Sequence, residues 1–538
     1  MAGEVVSGHR AMPEHIGVFR WLYTTNHHDI GILYIATSFL FFLLAGILAL
    51  VMRAELAYPG PTLVDSQTYN ALFTMHGTSM VFLVAIPMLA GFANLMIPPL
   101  IGADDMAFPR VNALSFWLIP PAGVILWMST AAVGWTGYAP LSAQLRESGV
   151  DLWIVGLQLL GISSTMGAIN FVVTILRLRA PGITFQNLSL FVWSVLVTAG
   201  ITMLATPVLA AGLLVLLLER HGMVVFFGPA LGGDPLFWQH IFWFYSHPAV
   251  YIMILPVMGI ISEVVPRFSN KPIFGYKAIA LSSVAIGFMG FGVWAHHMFT
   301  TGMSLTARVP FMVLTLAIAV PSGIKVFNWI MTMWGGVIDL KAPMLFAIGF
   351  ISMFVIGGIN GMFQAPIPID YALQDTYWVV AHIHYVLFGG TMMGVFAGLY
   401  YWFPRMTHRM YSERLGHWHF AFTIVGLNLV FFTFHFLGLM GMPRRWFDYP
   451  PEMWTLNWVA SVGAFILGFG QLFFLANVVK SYFWGAAASP DPWAVRPDIH
   501  MMLPSPTGPA IVASAPVEVA DGPFRADVTS GGAPPRAP

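Results

Sequence analysis

The chain has 538 residues with 23 Lys and Arg against 23 Asp and Glu, and 58% of it is hydrophobic while only 9% is charged. A soluble domain carries about 25% charged residues, so these proportions exclude one, and a balanced charge without a basic patch offers nothing to nucleic-acid phosphates. Cysteine is absent, which removes disulfides, thiolate metal sites and iron–sulfur clusters, so any metal is held by nitrogen or oxygen.

A spanning helix needs about 20 mostly apolar residues. Twelve segments qualify in chain order, roughly 29–53, 69–100, 112–138, 150–178, 187–219, 236–265, 272–303, 307–334, 342–362, 374–403, 416–440 and 455–485. None alternates strictly with period two, so they predict an all-α membrane protein, twelve transmembrane helices in one bundle, and not a transmembrane barrel. Residues 1–28 read as a cytoplasmic segment with no cleavable signal. From about 486 to 538 the chain is rich in Pro, Ala, Gly and Ser and reads as a mostly disordered tail without chemistry. Counting Lys and Arg on alternate sides of twelve spans gives twelve on the N-terminal side, Arg10 among them, against six on the other, Arg146 among them. The positive-inside rule then places both termini in the cytoplasm.

Histidines interrupt these apolar runs: His76 in the second span, His247 in the sixth, His296 and His297 in the seventh, His382 and His384 in the tenth. Translocon scales charge about 2.5–3.5 kcal/mol for an ionisable residue such as Lys or Asp at the bilayer centre, so such groups are functional candidates. His382 and His384 are two residues apart, which at about 100° per residue turns them to nearly opposite faces and toward two different centres. His247 and Tyr251 lie one turn apart on the same face. His296 and His297 diverge by about 100°, so both reach one ion only if it sits between them or the helix is distorted. With His247 they form a three-imidazole set that suits copper, zinc or iron and leaves a coordination position open. His221, His417 and His419 read as ordinary core or surface residues.

The motifs His247-Pro248-x-Val250-Tyr251, Trp294-Ala295-His296-His297-Met298, Val380-Ala381-His382-Ile383-His384-Tyr385-Val386 and Gly441-Met442-Pro443-Arg444-Arg445 resemble subunit I of haem-copper oxygen reductases, specifically cytochrome c oxidases, over roughly residues 20–485. The resemblance implies reduction of O2 to water, driven by electrons and coupled to proton pumping. His76 and His384 would be axial ligands of a low-spin haem and His382 the ligand of a high-spin haem, both expected to be haem A. His247, His296 and His297 would hold the copper, and Tyr251 would correspond to the cross-linked tyrosine that donates an electron and a proton. Arg444 and Arg445 would pair with haem propionates, Arg53 would touch the low-spin haem's edge, and Trp135 and Trp243 match aromatic positions near the haems. The implied partners are a subunit II carrying a dinuclear copper site, a subunit III, cytochrome c as donor and the lipid bilayer of a bacterial cytoplasmic membrane.

Proton routes follow from the same resemblance. Lys325, deep in the eighth span, resembles the lysine of the K pathway, with Ser322, Ser262 and Tyr251 completing it. Asp105 matches the mouth of the D pathway, and Asn94 and Asn112 its lower lining. The chain then departs from the pattern: Ala249 stands where many relatives have a glutamate, and Tyr245-Ser246-His247-Pro248 resembles the subgroup that lacks it, with Tyr245 and Ser246 in its place. Gln374 precedes Asp375 where relatives place a histidine, so a magnesium ion there would rest on the glutamine oxygen. Ile383 replaces an aromatic residue, and a sodium or calcium site is expected near Glu55.

Three further readings compete. A quinol oxidase would share the centre, but Thr68 and Ala71 stand where many quinol oxidases carry His and Gln; a nitric oxide reductase would lack Tyr251 and Lys325. Twelve spans also suit a secondary transporter, which leaves the clustered histidines unexplained.

Overall fold

The computed structural model describes residues 17–145, 147–489 and 491–493. Arg10, Arg146, most of the N-terminal segment and the tail beyond Trp493 lie outside the described residues. Twelve helices are long and apolar enough to cross a membrane: α1 His27–Glu55, α2 Ser66–Ile101, α3 Pro109–Met128, α4 Ser148–Arg177, α5 Leu190–Arg220, α6 Pro235–Ser269, α7 Tyr276–Met298, α8 Leu305–Met333, α9 Ala342–Gln364, α10 Tyr377–Thr407, α11 Glu413–Leu439 and α12 Pro451–Trp484. The start of α1 and the end of α12 lie on one side of the bundle, called here the terminal side.

Short polar side chains start these helices. Asn26, Asp65, Asp234, Ser304 and Thr376 each accept from a backbone N–H in the first turn that follows, which satisfies donors the helix cannot. Lipid supplies no hydrophobic force between helices, so close packing holds them together, and small residues mark the tightest crossings. A Cβ on Gly31 of α1 would come within 2.9 Å of the Gly91 carbonyl of α2, and one on Gly426 of α11 within 2.5 Å of the Leu467 nitrogen of α12. Burial shows what lies at the centre: 83% of the most apolar stretch is buried in α2 and in α6, against 17% in α8.

Three departures from the expected spans bear on the site. The third span ends at Met128 instead of 138: Ser129 turns extended (ψ 132°), Gly134 and Gly137 take positive φ (71° and 52°), and Trp135 sits on a loop. The α-helical part of α7 stops at Met289, and Gly290–Gly292 and Trp294–Met298 continue as tight 3₁₀ turns. Residues 486–488, expected to begin a disordered tail, bond to the bundle instead through Met410 N–H to Ala486 and Ala488 N–H to His408. Asp491 pairs with Arg267, and Trp493 is buried against Phe268 and Tyr401.

Two wide turns with i→i+5 bonding interrupt α2 and α10, at Met80–Ala85 and Leu387–Met392. Each begins within a turn of a singled-out histidine, His76 or His384, a frequent placement for such bulges at functional sites.

Candidate metal and proton-transfer site

The broken end of α7 brings three imidazoles together. In 3₁₀ geometry successive side chains do not follow the α-helical phase, and the ring centres of His296 and His297 lie 4.2 Å apart. Their Nε2 atoms are 3.0 Å apart, and His247 Nδ1 is 3.4 Å from His297 Nε2. One nitrogen from each of the three falls within 4.8 Å of the others. His296 is oriented by Thr315, whose Oγ1 is 3.0 Å from Nδ1, and His297 lies flat on Trp243 at 3.6 Å and 11°. Tyr251 meets His247 edge-on at 4.7 Å. Gly290 makes room for it, since a Cβ there would sit 2.9 Å from the phenol ring.

The opposed phase of His382 and His384 separates them as helix geometry requires. His384 faces His76 across the bundle, rings 6.4 Å apart and within 9° of parallel. His382 turns to the other face, against Gly357 and Gly361 of α9. All three rings are anchored through Nδ1 to carbonyl oxygens, His76 to Ala45 at 2.9 Å, His384 to Val380 at 2.8 Å and His382 to Gly357 at 3.0 Å. That fixes each ring's orientation and leaves its Nε2 as the free nitrogen. Gly361 allows the approach, because a Cβ there would lie 2.7 Å from His382.

The expected cations have specific partners. Arg53 donates Nη2 to the Asn457 carbonyl at 2.7 Å and to Ser461 Oγ at 2.9 Å, while its buried Nε and Nη1 have no hydrogen-bond partner among the described residues. Arg444 grips Asp375 through Nε and Nη2 at 2.7 and 2.5 Å. Arg445, with φ 71°, reaches Thr136, and burial beside Arg444 brings its guanidinium down to about 10. Trp135 packs edge-on against Trp243 at 6.0 Å and leans on Gly77, next to His76.

At the two expected ion sites the side chains have protein partners. Asp375 is gripped by Arg444, and Gln374 donates its Nε2 to the His297 carbonyl at 3.1 Å. At Glu55 both carboxylate oxygens accept from the loop that follows, from Thr62, Leu63 and Val64 N–H and the Thr62 hydroxyl. Among the described residues no group of three His or acidic side chains other than the trio gathers for a metal.

Polar groups form two lines from the terminal side. On the first, Asp105 sits in the loop between α2 and α3, where burial raises its carboxyl to about 6. Above it Asn112 donates to Asn94 Oδ1 at 2.6 Å, Tyr34 Oη meets Ser115 Oγ at 2.8 Å, and Ser163 donates to the Ser115 carbonyl. Tyr245 lies beyond, buried and stacked on Phe82 at 8°, and the buried Ser246 Oγ has no protein partner. On the second line the structure does not join Lys325 to the expected serines. Its Nζ donates to Ser283 Oγ on α7 at 2.6 Å; Ser322 bonds back to Ile318, and Ser262 bonds to Met258 while accepting from Trp329.

Comparison with known proteins bears on this arrangement. The family described as "Cytochrome C and Quinol oxidase polypeptide I" matches residues 29–466. The chain belongs to that family. It is 50% identical over 475 residues to a cytochrome c oxidase subunit 1 of Synechocystis sp., covering 88% of this chain and 86% of the relative. A cytochrome c oxidase polypeptide 1 of Halobacterium salinarum is 48% identical, with 89% and 82% covered. A cryo-EM structure of a heme-copper terminal oxidase dimer superposes with TM-score 0.77 over 92% of this chain and 88% of that one at 18% identity, which shows a shared fold.

The residues of this oxidase chain fit the metals of that chemistry. Three imidazoles and no carboxylate suit copper, and the buried His247 Nε2 has no protein partner. Two nitrogen–metal bonds of ~2.0 Å, with ~1.1 Å from each nitrogen to its ring centre, give ~6.2 Å between facing imidazoles, close to the 6.4 Å between His76 and His384. Buried polar atoms nearly always find partners, yet Arg53 Nη1, Trp378 Nε1, Gln364 Oε1 and Asp370 Oδ2 find none among the described residues.

Several residues of this oxidase escaped the sequence reading. Tyr34, Ser115, Ser163 and Ser283 carried a signal, a hydroxyl inside an apolar span. Asp370 carried none, since it reads as a loop acid; the fold buries it, and burial with the nearby Asp375 charge raises its carboxyl to about 7.

Proposed function

We propose that this terminal oxidase subunit I reduces O2 to water at a copper held by His247, His296 and His297 opposite a high-spin haem on His382, with a low-spin haem between His76 and His384. One observation carries the reading: two imidazole pockets lie on opposite faces of α10, joined through the single residue Ile383. Haem and copper supply electron transfer and dioxygen binding. The chain supplies ligands, orientation and protons. Tyr251 holds a phenolic proton beside His247, and Trp243 keeps His297 flat and in place. Arg53, Arg444 and Arg445 offer cationic partners to the haem edges, Arg444 while held by Asp375.

The same reading gives the chain two proton entries on a cytoplasmic terminal side, one from Asp105 past Asn94 and Asn112 to Tyr245 and Ser246, the other through Lys325 toward Tyr251. Two hydroxyls thus stand in for the absent carboxyl at Ala249, and pumping is retained. Cytochrome c is the donor through a subunit II with a dinuclear copper site, beside a subunit III, in a bacterial cytoplasmic membrane, and the haems are of the A type. The test is metal and pigment analysis of the purified complex with His296→Ala. Copper should fall by one per complex and O2 consumption should cease while both haem bands persist; unchanged copper content would overturn the assignment.

A further inference from the structure

Of the three carbonyl-tethered rings, His384 is the one whose anchor lies on its own helix. His76 and His382 donate to carbonyls of neighbouring helices, Ala45 of α1 and Gly357 of α9, whereas His384 donates to Val380, four residues earlier in α10. That bond decides where His384 points its Nε2. A histidine's ring torsion is soft, however, and one bond leaves the ring free to rock about the line from Nδ1 to the carbonyl oxygen. A second contact is needed to set its plane.

Helix α11 supplies that contact. Phe431 and Phe434, three residues apart on one face, are buried, while Phe432 and Phe436 are exposed. The Phe431 ring lies face to face with His384, centres 4.4 Å apart and planes within 15°. Behind it Phe434 meets Phe431 edge-on at 5.6 Å and 83°, and Tyr377 meets Phe434 in the same way at 4.7 Å and 82°. The Arg53 guanidinium lies over the Phe434 ring at 5.4 Å. Gly438 lets α11 come this close, since a Cβ there would collide with the Trp378 backbone nitrogen of α10. Aromatic pairs in these arrangements gain stability beyond the area they bury, so the stack resists rotation of any one of its rings. A leucine at 431 would fill much of the space and offer His384 no flat face.

We infer that Phe431 is a positioning residue for the low-spin haem: pressed flat on His384, it holds that imidazole within 9° of parallel with His76. The inference rests on the reading of His76 and His384 as axial ligands given above. Axial ligation is one of the levers a protein has on a haem. Each axial imidazole interacts with the iron d orbital that lies perpendicular to its ring plane. Two parallel planes act on the same orbital and separate it most from its partner, and tilting one plane shrinks that separation. The electronic state of the oxidised low-spin iron therefore reports the angle between the rings independently of turnover.

The test is Phe431→Leu in the complete complex, with the electron paramagnetic resonance spectrum of the oxidised low-spin haem recorded beside haem and copper content. The largest g value should shift upward and the signal broaden, with both haems and the copper present in full. Phe431→Tyr keeps a flat face against His384 and should give the parent spectrum. A signal unmoved in Phe431→Leu would overturn the inference, and so would a shift that Phe431→Tyr shares. If Phe431→Leu fails to assemble, Phe431→Met, which fills similar volume with a flexible chain in place of a rigid ring, carries the same expectation. A parent complex without a two-imidazole low-spin signal would sink the haem reading itself, whereas a parent signal that loss of the ring leaves unmoved sinks only the role of Phe431.

Discussion

Lys325 is 1% exposed in the middle of a spanning helix, and among the described residues its hydrogen-bond partner is Ser283. Position along the span was readable in the sequence; the partner was not, because Ser283 belongs to another helix and only packing brings α7 against α8. A buried hydrogen bond of this kind is worth about 1.5 kcal/mol, so Ser283→Ala should slow turnover about tenfold and Ser283→Thr should keep it, as measured by steady-state O2 consumption. Asp105 makes a pH prediction with a definite sign. Its carboxyl titrates at about 6 in the folded chain and near ~3.9 when unfolded. Between those values the folded form keeps a proton that the unfolded form has lost, so this group's contribution is most favourable at low pH and declines as pH rises through 6. Asp105→Asn should flatten the dependence of the unfolding midpoint on pH across that window.

At the level of elements, hydropathy located all twelve helices because the bilayer imposes one length and one composition on each. What it missed were the places where an apolar run stops being α-helical. The seventh run looks continuous through residue 303, yet two glycines flanking Phe291 release the chain into 3₁₀ turns, and that release is what lets adjacent histidines converge. Local distortion is one of the two ways in which adjacent helical histidines can share an ion, and it is the one this chain uses. Two-residue spacing in α10 was fully legible, since a regular helix at that point leaves only one outcome for His382 and His384. Pairings that depend on how two helices pack, such as Ser163 of α4 with Ser115 of α3 or Ser262 of α6 with Trp329 of α8, had no local signature.

Across the whole molecule, the terminal side is closed by chain that composition assigned to a loose tail. Arg267 lies at the end of the central helix α6 with its side chain 1% exposed, and Asp491 is the acid that meets it. Removing one partner of a buried ion pair leaves an uncompensated charge, at a cost of about 3 kcal/mol or more. Asp491→Ala should therefore lower the thermal midpoint of the detergent-solubilised complex while leaving its optical spectrum unchanged, and an unshifted midpoint would show that the contact adds no stability. Trp493, whose Nε1 donates to the Tyr401 carbonyl, extends the same closure into the core.

The carbonyl tethers on His76, His382 and His384 bear on mutational tolerance. Each ring is held through Nδ1 by a main-chain oxygen and not by a neighbouring side chain. Exchanges of the residues that supply those oxygens therefore leave the anchors in place, because a main-chain carbonyl is the one acceptor that no side-chain substitution can delete.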